Sequence, residues 1–207
     1  MTWIAGGKPT SVYATSGLSY YGPWEEGGRC CRECAISDRC PDFYDLTKPE
    51  KDPIEEALRK LRLQIPLDDP LAPDVCLFNA AKDTFDNGIA VVTYDNDVRA
   101  TYTVNVLSAR STRQMSAIGT DAMVEADMEK GTALLTERHT NKETFFDLSE
   151  AVAGSHGGAD TKILADFFRI CREGGRPRSG LQEGRLAVQL SLAATTSDDE
   201  GRVVNLG

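Results

Sequence analysis

Residues 98–106 read "VRATYTVNV", and their alternation decides the fold class. Successive side chains of a strand point to opposite faces, so Ala100, Tyr102, Val104 and Val106 share one face, and Arg99, Thr101, Thr103 and Asn105 share the other. The first set is the expected core face; the second is polar and β-branched. A strict period of two is not the three-to-four spacing of an amphipathic helix. Toward the C-terminus, short runs at 113–118, 122–127, 131–137 and 143–148 follow, separated by Gly119, "DMEKG" and "RHTNK", which predicts a meander of antiparallel strands. Toward the N-terminus, residues 75–85 and 89–94 flank "DNG", where Asn87 and Gly88 tolerate the positive φ of a tight hairpin. "PTSVYATSGLSYYG", between Pro9 and Gly22, mixes β-branched and aromatic residues as a further strand does.

Helical spacing appears in three places. Asp52, Pro53 and Glu55 supply an N-cap, a proline at the first helical position and an acid at the third, ahead of Ile54, Leu58, Leu61 and Ile65; Pro66 ends that pattern. Asp160 is placed to cap a second helix, with Ile163, Phe167, Ile170 and Cys171 on one face and Gly174-Gly175 at its end. Ser179 and Gln182 form a capping-box pair for a third, along which Leu186, Leu190 and Ala193 line up. "GRVVNL" is a last strand, and "IPLDDPLAPD" is a connector without periodicity. Strands in one block and helices mostly in another predict an α+β fold: a large open, predominantly antiparallel β-sheet with helices packed on one face. One domain over residues 1–207, with a Cys-rich loop at 27–44, is the expected organisation.

Composition excludes several function classes. The formal net charge of −9 and the lack of any long Lys/Arg cluster speak against electrostatic binding of nucleic acid. No stretch approaches the ~20 apolar residues of a membrane span, and "MTWIAGGKPTSVYA" lacks the charged and apolar regions of a signal peptide. The expectation is a soluble, cytoplasmic protein.

Two constellations carry chemistry. In "GGRCCRECAISDRCPDFY", Cys31, Cys34 and Cys40 have a spacing that closes around a tetrahedral metal such as zinc, with Cys30 beside them. A fourth ligand is absent from the loop, so reduced structural thiols and an incidental disulfide stand as alternatives. In "GSHGGAD" (154–160), two adjacent glycines do not make G-x-G-x-x-G, and an antiparallel meander precedes them, so this is not a dinucleotide loop. Two readings survive: a helix start capped by Asp160, and a binding corner in which His156 offers an imidazole to a hydroxylated or anionic ligand. His139 reads as an exposed turn residue, and Ser155 with His156 does not make a catalytic pair.

The order of these pieces resembles the C-terminal domain of the Gfo/Idh/MocA oxidoreductase family. The resemblance rests on "WIAGGKPTSVYA", "RCCRECAISDRCPDFY", "VRATYTVNVLS", "RQMSAIGTDAMVEAD", "SHGGADTKILADFF" and "SGLQEGRLAVQLSLAATTSDDEGRVVNL", and covers nearly the whole chain. It implies an NAD(P)-dependent dehydrogenase acting on a sugar, polyol or similar hydroxylated compound, of which this chain is the substrate-binding and oligomerisation half. The Rossmann domain, the family's glutamate-lysine-proline motif and its Asp and His for the substrate proton belong to the other half; "TKP" at 47–49 does not replace that motif. By the same resemblance His156 and Asp160 line the substrate pocket, the chain alone binds no nicotinamide cofactor and is inactive, and a separate Rossmann-domain protein is an expected partner of a truncated or split chain. A homo-oligomer through the open sheet face is expected too. The rival expectation is a stand-alone, non-catalytic module that dimerises through the face of residues 99–105 and binds a small ligand or a protein.

Overall fold

The computed structural model describes residues 1–69, 72–153 and 155–207; Pro70 and Leu71 of the connector and Gly154 of the glycine corner lie outside the described residues. The chain forms two compact units, residues 1–107 with 192–207, and residues 108–191.

In the first unit, β1 (Pro9–Gly17), β2 (Asn87–Tyr94), β3 (Arg99–Asn105) and β8 (Val204–Asn205) make an antiparallel sheet in the order β3-β2-β1-β8. Val12 pairs with Val92 and Ala14 with Ala90, so alternation places Val12, Ala14, Val92 and Tyr94 on the core face, where all four are buried. The other face carries Tyr13, Ile89 and Val91, all exposed. Helix α4 (Leu181–Glu200) is tied to β1 at its C-terminal end: the Ala14 N–H donates to Ser197 Oγ at 2.9 Å, and the Ser197 hydroxyl donates to the Arg202 carbonyl at 2.6 Å. The Ser16 N–H donates to Asp198 Oδ1 one residue further on, at 2.8 Å.

Two expectations fail in this unit for physical reasons. Residues 75–85 are not a strand. Val75 makes a single antiparallel bridge to Cys30, and the residues between it and β2 form turns and bends. The chain is organised there by Asp86, whose buried carboxylate accepts from the N–H groups of Ser19, Tyr20 and Tyr21 at 3.0, 2.6 and 2.9 Å and from Asn87 Nδ2 at 2.7 Å. Asn87 and Gly88 therefore open β2 rather than form a hairpin turn, and the tight turn lies at 95–97, with Asp97 at φ 62°. Gly88 serves close approach, because a Cβ there would lie 2.9 Å from Ser16 Cβ. The second failure is in the short helix α2 (Pro53–Arg62). Its cap is as expected, Asp52 Oδ1 accepting from the N–H groups of Ile54 and Glu55 at 2.8 and 3.1 Å. Its buried side is reversed: Ile54, Leu58 and Leu61 are exposed, and Arg59 is 9% exposed. The Arg59 guanidinium grips Glu56 through two N–H groups at 2.7 and 2.8 Å and donates to the Leu46 carbonyl at 3.0 Å, so the charged side of the helix is the docked one.

The second unit is the expected meander. β4 (Gln114–Ile118), β5 (Ala122–Asp127), β6 (Thr132–Glu137) and β7 (Glu143–Asp147) pair antiparallel in sequence order. Helix α3 (Ala159–Glu173) follows two 3-10 turns, Ser149–Val152 and Ser155–Gly158. Its apolar stripe of Ile163, Leu164, Phe167 and Phe168 is exposed. The edge strand β3 of the first unit is similar: Ala100 and Val104 are half-buried, whereas Tyr102 and, just beyond the strand, Val106 are exposed. The α+β class and the antiparallel pairing thus hold, with the strands grouped in two sheets of four. The cap of α4 is not the Ser179–Gln182 box; the Gly180 N–H donates to Glu183 Oε2 at 2.8 Å, which starts the helix at Leu181.

Candidate functional site

The glycine corner of the second unit is built by backbone that L side chains seldom adopt. His156, Gly157 and Gly158 follow one another at φ 52, 65 and 69°, all in the left-handed region. Three such residues in succession lead directly into α3. The preceding turn is fixed from below. The Leu148 N–H donates to the Gly131 carbonyl at 2.6 Å, and a Cβ on Gly131, itself at φ 62°, would lie 2.6 Å from Ser149 Cα. A Cβ on Gly158 would meet the Ala153 carbonyl oxygen at 2.9 Å. Lys162 reaches back from α3 and donates to the Ala151 carbonyl at 2.5 Å.

This geometry brings together the two residues expected at the site. His156 Nδ1 and Asp160 Oδ2 are 2.8 Å apart, with side chains 71% and 58% exposed. Asp160 does not cap α3: the N-cap is Gly158, in a left-handed conformation, and among the described residues no side chain caps the helix there. The aspartate therefore lies in the first turn, where its charge suits the helix dipole, and its carboxylate serves the imidazole. His139 is exposed in the β6–β7 turn and makes no hydrogen bond among the described residues.

The cysteine loop assembles differently from a zinc site. Cys30, Cys31, Cys34 and Cys40 border an apolar pocket with Cys76, Trp24, Ile36, Phe43 and Phe78. Cys76 arrives there because residues 29–31 run antiparallel to 74–76, the Cys31 N–H donating to the Asp74 carbonyl and the Cys76 N–H to the Arg29 carbonyl, both at 2.8 Å. Among the described residues no group of three or more His, Cys, Asp or Glu is placed to hold a metal ion, so the structure lends the zinc reading of Cys31, Cys34 and Cys40 no support. The physical reason is that the sulfurs serve the loop. Cys34 Sγ accepts from the Gly28 N–H at 3.4 Å, and the Cys30 thiol donates to the Leu67 carbonyl at 3.4 Å. Burial pushes the Cys30 and Cys31 thiols up, away from the thiolate a metal requires. All six cysteines are free thiols in this arrangement.

Sequence spacing missed two anchors of this loop. One is Cys76, which no local pattern joins to the others. The second is the pair of Arg32 with buried Asp74: Nε to Oδ2 and Nη2 to Oδ1, each at 2.9 Å, with the Arg32 N–H on Oδ2 at 3.0 Å. Burial opposes the charge on Asp74, yet these bonds outweigh it and hold the carboxyl below its usual range.

The described residues form no Rossmann-type strand–loop–helix unit. Every strand pair is antiparallel, and the glycine corner follows a 3-10 turn instead of a parallel strand, so the cradle of a strand–loop–helix unit is absent among them. No described helix is long and apolar enough to cross a membrane.

Superposition on solved structures shows that the chain has the fold of the C-terminal domains of Gfo/Idh/MocA-type oxidoreductases. Its sequence is 26% identical over 186 residues, 81% of this chain and 43% of the relative, to YteT of Bacillus subtilis (strain 168), a protein named as an oxidoreductase. Among solved structures, the UDP-N-acetylglucosamine 3-dehydrogenase GnnA of Acidithiobacillus ferrooxidans superposes with a TM-score of 0.58 at 12% identity, over 96% of this chain and 43% of that one. A levoglucosan dehydrogenase in complex with NADH and levoglucosan superposes with a TM-score of 0.57 at 13% identity, over 99% of this chain and 46% of that one. The chain thus spans less than half the length of the proteins it matches. No protein-family model matches it.

Proposed function

We propose that the chain is the substrate-facing and subunit-pairing part of an NAD(P)-dependent oxidoreductase that acts on a sugar, polyol or related hydroxylated compound. The observation that carries this reading is the His156–Asp160 pair, exposed on a backbone corner where left-handed geometry has been accepted at a non-glycine residue. The fold supports the class, and two of the similar structures are named for dehydrogenation of a sugar derivative or an anhydro-sugar. In this reading His156 and Asp160 contact the substrate, the nicotinamide cofactor is held by a Rossmann domain, and hydride transfer takes place only where the two meet. The chain alone binds sugar weakly and turns nothing over.

The test is a panel of sugars and polyols titrated against the 207-residue chain and its His156→Ala variant by ligand-observed NMR. Binding of at least one member, weakened tenfold or more in the variant, is the expected result. A panel that binds neither protein, or both equally, removes the substrate-facing role.

One feature favours the second reading, a stand-alone dimerising module. The face of the first sheet that carries Thr101 and Thr103 also carries Tyr13, Ile89 and Val91, exposed β-branched and aromatic residues that a second copy can bury. Both readings use this face for self-association, so a monomer at micromolar concentration in sedimentation counts against it in both. Titration with NADH and NADPH separates them from a third outcome: tight binding by the chain alone excludes the module and contradicts the division of labour proposed above.

A further inference from the structure

We propose that Asp160 is a positioning residue for His156: it fixes the proton on Nδ1 and turns Nε2 outward as a hydrogen-bond acceptor for a ligand hydroxyl. The proposal rests on the reading of this corner as ligand-facing, and adds which chemical group the corner selects.

An ionised carboxylate has no proton to give, so at 2.8 Å from Asp160 Oδ2 the neutral imidazole carries its hydrogen on Nδ1. The other ring nitrogen is then a bare acceptor, and no hydrogen bond to it occurs among the described residues. Both side chains are largely exposed, which leaves Nε2 accessible to a small molecule. The backbone supports the same conclusion. His156 adopts φ 52° and Gly157 and Gly158 continue in the left-handed region, so the ring is set against the first turn of α3 by the chain itself. Nor is Asp160 committed elsewhere, since it makes no cap to α3.

The consequence is a preference between two oxidation states of one substrate. An imidazole that presents only a lone pair accepts from an alcohol O–H and offers nothing to a carbonyl oxygen, which needs a donor. With the imidazole neutral, the corner is therefore selective for the hydroxyl form of a sugar or polyol over the corresponding ketone.

The experiment reads the tautomer directly. Long-range 1H–15N correlation spectra of the 15N-labelled chain, recorded at a pH where both imidazoles are seen to be neutral, resolve its two histidines, with His139 in its exposed turn as internal reference. The expected pattern for His156 is a protonated Nδ1 and an unprotonated Nε2; in Asp160→Ala the Nδ1–H signature is lost and the pattern moves to that of His139. The amide fingerprint of the variant controls for folding. A wild-type His156 protonated mainly on Nε2, or an unchanged pattern in Asp160→Ala, overturns the proposal. A purely electrostatic service to the helix would leave the tautomer unmoved. If the tautomer shifts as expected while His156→Ala leaves sugar and polyol binding intact, the positioning role stands and the substrate-facing reading fails.

Discussion

Asp86 and Asp160 are both aspartates at the entrance to a regular element, and they are used in opposite ways. Asp86 is 1% exposed and saturated by three backbone N–H groups and an amide, whereas Asp160 is 58% exposed and engages one imidazole. A buried carboxylate survives only when its lone pairs are filled, so Asp86 pins residues 19–21 to the start of β2 and belongs to the scaffold. An exposed hydrogen-bonded pair contributes little to stability, and a left-handed histidine costs something. The corner therefore has to be understood through what it presents to solvent, and the scaffold through what it withholds.

The largest effect is expected at Asp86. Asp86→Ala leaves the N–H groups of Ser19, Tyr20 and Tyr21 without their acceptor, and its thermal midpoint should fall further than those of the Gly131, Ser197, His156 and Asp160 variants. The N–H groups of Ser19, Tyr21 and Tyr20, opposed by burial, hold the Asp86 carboxyl far below its ordinary range. A folded value below the unfolded one means that this stability is present above about pH 4 and is lost as pH falls from there toward the folded value. Arg59 and the Glu50 N–H likewise lower Glu56 to about 2, which adds to the same acid slope. Urea unfolding from pH 6 down to pH 2 should show a shallower slope for Asp86→Asn than for wild type; parallel curves would remove Asp86 from the acid response.

Gly131→Ala comes next and moves the comparison into the second unit. The added Cβ would lie 2.6 Å from Ser149 Cα at φ 62°, combining backbone strain with a clash that no rotamer relieves. A loss of roughly 3 kcal/mol is expected by chemical denaturation. A loss below about 0.5 kcal/mol, the level of an ordinary surface change, would show that the turn beneath the corner yields easily. Ser197→Ala should cost less, about 2 kcal/mol, because it leaves the buried Ala14 N–H without its acceptor and removes the hydroxyl's bond to the Arg202 carbonyl. Cysteine in its place, with a weaker acceptor of similar shape, is expected to fall between wild type and Ser197→Ala.

The contrast between the two units also explains what the sequence discloses. β5 is bounded at Ala122 and Asp127 by local signals alone, alternation ending in turn residues, and the structure has the same limits. Contacts across long separations left no such trace. Nothing near residue 86 announces that its partners lie at 19–21, so residues 75–85 look like a strand and are turns. Periodicity finds α2 but not its buried side, since Ile54, Leu58 and Leu61 form a good apolar stripe and the helix docks through Arg59 instead. The thiol pocket fails similarly: Cys31, Cys34 and Cys40 are adjacent in sequence, but Cys76 and the Arg32–Asp74 pair that organise them are not. At the corner, His156 and Asp160 were legible as residues. Their pairing was obscured because an aspartate near a helix start is ordinarily a cap, and three left-handed residues give this one a different partner.

The smallest stability effect is expected at the corner itself, and that smallness is the informative result. His156→Ala and Asp160→Ala remove an exposed pair at 2.8 Å, and each should change unfolding free energy by no more than about 0.5 kcal/mol. His156→Gly should even gain slightly, because glycine accepts φ 52° without strain. If denaturation shows instead that either alanine variant loses as much as Ser197→Ala, the pair is a structural fastening of α3 and the contrast with Asp86 collapses. If stability holds while sugar binding and the imidazole tautomer change, the corner is separable from the scaffold, as a ligand-facing pair on a fixed backbone must be.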